Sequence, residues 1–98
     1  MAQAQRKYER HWLLMRDGPA PEALRLVARL AREARTDTEI GAIAVVLFDP
    51  LVDLHWEEIL DQLEDSLERG ASMRRVCRAS MLHVPPHIEE QLRSRCID

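Results

Sequence analysis

The longest apolar run of the chain, Ile40 to Phe48, is interrupted only by Gly41 and has charged amphipathic segments on both sides. A segment that is apolar around its whole circumference must be wrapped by its neighbours, so residues 39–54 form the centre on which the rest packs. Four β-branched residues (Ile40, Ile43, Val45, Val46) suit a buried strand as well as a helix, and periodicity does not separate the two for so short a run. The flanks favour helix. Thr36-x-x-Glu39 has capping-box spacing, and Asp49-Pro50 reads as an N-cap followed by an N1 proline, a stop and a sharp restart. No other segment alternates, so a strand here would find no partner. A buried central helix over 37–48 is therefore predicted.

The flanking segments repeat at helical period. Tyr8, His11, Trp12 and Met15 form a stripe that predicts one helix over 2–16, widened by Leu13 and Leu14. Gly18 suits an αL C-cap and Pro21 suits N1 of a second helix over 21–35. That helix turns Leu24, Val27, Ala28, Ala31 and Ala34 inward and sets Arg25, Arg29, Arg32 and Arg35 outside. After one or two turns over 50–54, residues 55–69 make the clearest amphipathic helix, with Trp56, Ile59, Leu60, Leu63 and Leu67 inside and Gly70 as its C′ residue. Ser72 caps a fourth helix that runs to about Leu82. It places Met73, Val76, Cys77, Ser80 and Met81 inward and Arg74, Arg75 and Arg78 outward. Pro85-Pro86 breaks the chain, and a last helix over 86–96 presents Ile88 and Leu92.

Composition agrees with this pattern. Ninety-eight residues make one domain, 1–98, long enough for a modest core without disulfides or metal. An apolar fraction of 46% against 32% charged argues for an ordered helical domain. The net charge of −3 provides no global pull toward nucleic acid or an anionic membrane. No signal-peptide pattern opens the chain and no apolar run approaches a membrane span, so a cytoplasmic protein with reduced thiols is expected.

Candidate chemistry is sparse. Glu57, Glu58, Asp61, Glu64, Asp65 and Glu68 form a strongly acidic helix face. Acid–base catalysis would need a cleft and shifted pKa values, so an interaction face or plain solvation is the better account of these carboxylates. The arginine stripe of the second helix could clamp phosphates, yet no aromatic or glycine-rich loop accompanies it, and a solvated face is the simpler expectation. Cys77, His83, His87 and Cys96 read C-x5-H-x3-H-x8-C, a chemically complete tetrahedral zinc set. Cys77 already has a place on an apolar face, and Pro85-Pro86 keeps the histidines from sitting one helical turn apart, so no metal is expected. There is no P-loop, no G-x-G-x-x-G and no nucleophile elbow around Cys77. The helices on either side of Gly70 have a helix-turn-helix outline, but the second offers no base-reading Asn or Gln.

The order of segments resembles a family of short bacterial all-helical domains of unknown function. The resemblance rests on a Trp-bearing first helix, Pro21-Glu22-x-Ala-Leu24, Ile40-Gly41-Ala42, Pro50-Leu51-x-Asp53-Leu54 and His55-x-Glu57-Glu58-x-Leu60-Asp61. Asp49 and Val52 stand where that family carries Gly and Glu. The resemblance implies a HEAT-like stack of antiparallel helices of the kind used as small binding or immunity proteins. The expectation is thus an all-α single domain of five to six helices, without catalytic activity or cofactor. It binds a basic protein through the acidic helix, and homodimer formation is compatible with it. The rivals are a nucleic-acid-associated regulator using the arginines of helices two and four, and a structural or oligomerisation module.

Overall fold

Thr36 starts the central helix as its spacing predicts. Its backbone is extended (φ −132, ψ 159) and its Oγ1 accepts the Glu39 N–H at 3.1 Å, satisfying one of the donors a helix start leaves unpaired. In the computed structural model, which describes residues 2–80 with Pro86 and Glu90, all regular elements among the described residues are helical. They are α1 (Ala2–Glu9), α2 (Trp12–Asp17), α3 (Ala20–Glu33), α4 (Asp37–Ile43), a π-helical segment (Ala44–Phe48), α5 (Asp49–Arg69) and α6 (Ala71–Ser80). One apolar core draws on all of them, from Tyr8 of α1 and Met15 of α2 through Leu24, Ile43, Leu47, Phe48 and Ile59 to Val76 of α6. Residues 37–48 are its centre, as expected, although Val46 is only half-buried and Val45 is 38% exposed. Being apolar all round did not make the segment buried all round.

The expected stop at Asp49-Pro50 is absent. Phe48 (φ −69, ψ −44) and Asp49 (φ −59, ψ −49) are both helical, so Asp49 does not hold an N-cap position and Pro50 lies inside a continuous helical path. Proline lacks an N–H and its ring crowds the carbonyl four residues back. The wider π turn immediately upstream carries those carbonyls away from the ring, which is how the chain passes a proline without breaking. The interruption comes five residues later, as a kink at His55 (φ −133, ψ 26), where the pattern predicts the amphipathic helix to begin.

Two more boundaries move. The single helix expected over 2–16 ends at Glu9, turns through Arg10-His11 and restarts at Trp12. This reorients the stripe. Tyr8 and Met15 are buried, whereas Trp12 is 40% exposed, with the Arg16 guanidinium 4.9 Å from its ring centroid, and Leu13 is 58% exposed. Gly18 closes α2 by donating its N–H to Leu14 O at 2.9 Å, with φ 79 and ψ −173 rather than the αL pair. A cis peptide joins it to Pro19, which serves as N-cap of α3, so Pro21 falls at the second helical position instead of N1.

At the far end α6 begins at Ala71, and Gly70 is extended (φ −157, ψ 144) rather than αL. A carbonyl at the end of α5 is satisfied by a side chain instead: Arg74 Nε donates to Leu67 O at 2.9 Å. The buried Ser80 hydroxyl donates to Asp49, fastening α6 to the start of α5. Met81 lies outside the described residues, as does the last helix expected over 86–96 except for Pro86 and Glu90.

Glu39 fastens α1 to α4. Its carboxylate accepts from the Arg35 N–H at 3.3 Å rather than from the N-cap N–H of a standard capping box, and it also receives Lys7 Nζ and the Tyr8 hydroxyl, each at 3.4 Å. The Arg35 N–H, followed by Lys7 and Thr36, holds the Glu39 carboxyl below the usual glutamate range. A carboxylate with a depressed folded-state pKa binds fewer protons folded than unfolded. Its contribution is therefore present above the ordinary glutamate value and is lost as pH falls through the folded one. Thermal melts of the parent and Glu39→Gln between pH 7 and pH 3 should show the variant with the shallower acid-side loss. Parallel profiles would show that Glu39 does not carry this dependence.

Candidate functional site

The outer surface of α5 bears the carboxylates that the sequence singles out. Glu57, Glu58, Asp61, Asp65 and Glu68 are all exposed, while Ile59, Leu63 and Leu67 are buried; of Glu64 only the backbone is described. At about 100° per residue, positions 57, 61, 64 and 68 fall within roughly 60° of one another and draw a single stripe down the helix. Glu58 and Asp65 flank this stripe and have local partners. Glu58 lies 3.6 Å from His55 Nδ1, and Asp65 pairs with Arg69 at 3.2 Å. Among the described residues no cation stands within ion-pair distance of Glu57, Asp61 or Glu68. Among the described residues the acidic face thus divides into Glu57, Asp61 and Glu68, without an ion-pair partner, and the paired Glu58 and Asp65 along one edge. The described carboxylates of the stripe, Glu57, Asp61 and Glu68, are open to solvent.

The His55 side chain sets how α5 approaches α2: its Nε2–H donates to Arg16 O at 2.9 Å, and the kink at this residue allows that reach. Gln62 does the same toward α3, donating from Nε2 to Pro21 O at 2.9 Å. Between α3, the last turns of α5 and the start of α6 lies a groove of about 750 Å³. Arg25, Arg29 and Arg32 of α3 form one wall, and Arg69 of α5 closes the opposite side. Ser66, Ser72 and Gln62 add polar groups, and Leu26, Ala28 and Met73 make an apolar floor.

The arginines that the sequence reading joined do not line one groove. Arg25, Arg29 and Arg32 line the groove, but the helix-four cluster does not. Arg74 is bound to the end of α5 and Arg75 pairs with Asp37 at 2.5 Å, leaving Arg78 exposed. The partner of the stripe is Arg69, which sequence reasoning passed over because it ends the acidic helix. Its place in the last turn, four residues after Asp65, marked it only as a helix-terminal cation. Burial first, then the charges of Arg10 and Arg29, push the His11 imidazole below its ordinary pKa.

No metal-ligating group of three or more His, Cys, Asp or Glu occurs among the described residues. Cys77 is buried in the core, while His83, His87 and Cys96 lie outside the described residues. Among the described residues no helix is long and apolar enough to cross a membrane. Comparison with protein-family models, with curated proteins and with solved structures finds no match.

Proposed function

We propose that this chain is a non-enzymatic protein-binding domain of inhibitor or immunity type, which takes a basic partner on the outer stripe of α5. The observation that supports it is the set of exposed carboxylates Glu57, Asp61 and Glu68, aligned on one helix and unpaired among the described residues. Such charges add little to stability, because exposed ion pairs are worth only about 0–1 kcal/mol. They do raise the encounter rate with a partner of opposite sign and disfavour partners of like sign. A cytoplasmic setting and the HEAT-like, antiparallel stacking implied by the resemblance to short bacterial helical domains belong to the same proposal. Nucleic acid is the weaker partner, since the arginines of α6 are largely engaged within the fold.

The test is a reversal of the stripe, Glu57→Lys, Asp61→Lys and Glu68→Lys together, with the helical circular dichroism and Tm of the variant recorded first. Both should match the parent within a few degrees. Parent and variant are then used side by side to capture partners from the source lysate, with nuclease treatment. The parent should retain a basic protein in a salt-sensitive manner, and the variant should lose it. Equal recovery by both proteins would reduce the stripe to solvated surface, and salt-sensitive recovery of nucleic acid by the parent would overturn the assignment.

A further inference from the structure

The groove beside α3 is a second charged surface, opposite in sign to the α5 stripe and independent of it. Arg25, Arg29 and Arg32 follow one another at i, i+4 and i+7, so their Cα atoms span roughly 10 Å along the helix. Like charges at this spacing destabilise an isolated helix. Among the described residues no carboxylate lies within ion-pair distance of any of the three. Arg69 lines the same groove from α5 and pairs with Asp65 in an exposed i,i+4 pair that opens at little cost. With Glu22 and Asp65 at the margin, four guanidiniums stand against two carboxylates, a net lining charge of +2. The guanidinium fork matches phosphate oxygens bidentately, and the Ser72 hydroxyl supplies a further donor in the lining, whereas the Ser66 hydroxyl donates to Gln62 O. A volume of about 750 Å³ falls within the usual size of small-ligand sites.

We propose that this groove binds a small polyphosphorylated anion: a chain of two or three phosphates lying along Arg25, Arg29 and Arg32, with Arg69 released from Asp65 to close over it. Glu22 and Asp65 are among the lining residues, and the groove adjoins the acidic surface of α5, which suits a compact anion and disfavours the long phosphate backbone of a nucleic acid. Two sources share this chemistry, an inorganic polyphosphate and the tail of a nucleotide. The apolar floor of Leu26, Ala28 and Met73 distinguishes them, because only a nucleotide has an aromatic body to place there.

Calorimetric titration of the full chain at low salt tests the proposal with inorganic tripolyphosphate and, separately, ATP without metal. Saturable one-to-one binding is expected. Arg25→Gln with Arg29→Gln should weaken it roughly 100-fold, about tenfold for each charged bidentate contact removed. Arg78→Gln, which removes an exposed arginine outside the groove, should leave it within about twofold. Circular dichroism of each variant, expected to match the parent, keeps a loss of binding separate from a loss of fold. ATP binding tighter than tripolyphosphate assigns a nucleotide, and equal affinity assigns an inorganic chain. No saturable binding by the parent, equal weakening by Arg78→Gln, or tighter binding of duplex DNA than of either probe would each overturn it.

Discussion

Phe48→Ala should lower the unfolding free energy by about 3–5 kcal/mol, the usual cost of truncating a buried aromatic side chain. Phe48 is fully buried at the end of the π-helical segment, where α5, α6 and α1 all pack against the centre of the fold. The deletion removes transfer free energy and leaves a cavity that the π turn and the neighbouring Pro50 cannot collapse into, because both hold the backbone in place. For a domain of this size such a loss corresponds to a Tm drop of roughly 15–30 °C. Val45, three residues earlier in the same segment, is the control, since it is 38% exposed. Val45→Asp should cost about 1 kcal/mol or less, in line with other surface changes on a helix. Urea or thermal unfolding of the two variants decides the matter. Similar losses at both positions would mean that the π segment does not present the faces described above.

Gly18→Ala is expected to cost about 1–3 kcal/mol, although glycine to alanine often stabilises. With φ 79 and ψ −173, Gly18 occupies a region that residues with a side chain essentially never adopt. A Cβ there would also stand 3.1 Å from the Ala20 backbone nitrogen, an atom that the start of α3 does not let move. Gly41 gives the opposite expectation. It lies inside α4, and a Cβ there would meet nothing within 4 Å, so Gly41→Ala should stabilise by about 0.5–1 kcal/mol. Melting temperatures that move in opposite directions for the two variants would confirm both environments. A neutral or stabilising Gly18→Ala would refute the positive-φ turn between α2 and α3.

What could be read from the chain alone was local. Thr36 and Glu39 announce a helix start because a cap is made within one turn, between residues three apart. Ile59, Leu63 and Leu67 announce an inward face, and Glu57, Asp61 and Glu68 an outward one, because helical period places them so whatever packs nearby. The inward residues of α6 follow from the same rule. Tertiary structure decided what depends on elements far apart in sequence. Pro50 continues a helix because a π turn forms upstream of it, under the demands of a core that needs Leu47 and Phe48 inside at once. The kink at His55 answers to a bond with Arg16, thirty-nine residues away, and the break at Arg10-His11 separates a buried Tyr8 from an exposed Trp12. The grouping of Arg69 with the stripe of α3, and the removal of Arg74 and Arg75 to structural contacts, followed from how α5 and α6 lie against α3 and α4. Side-chain periodicity states which way a residue faces on its own helix; which charges share a groove is set by the packing of one helix on another.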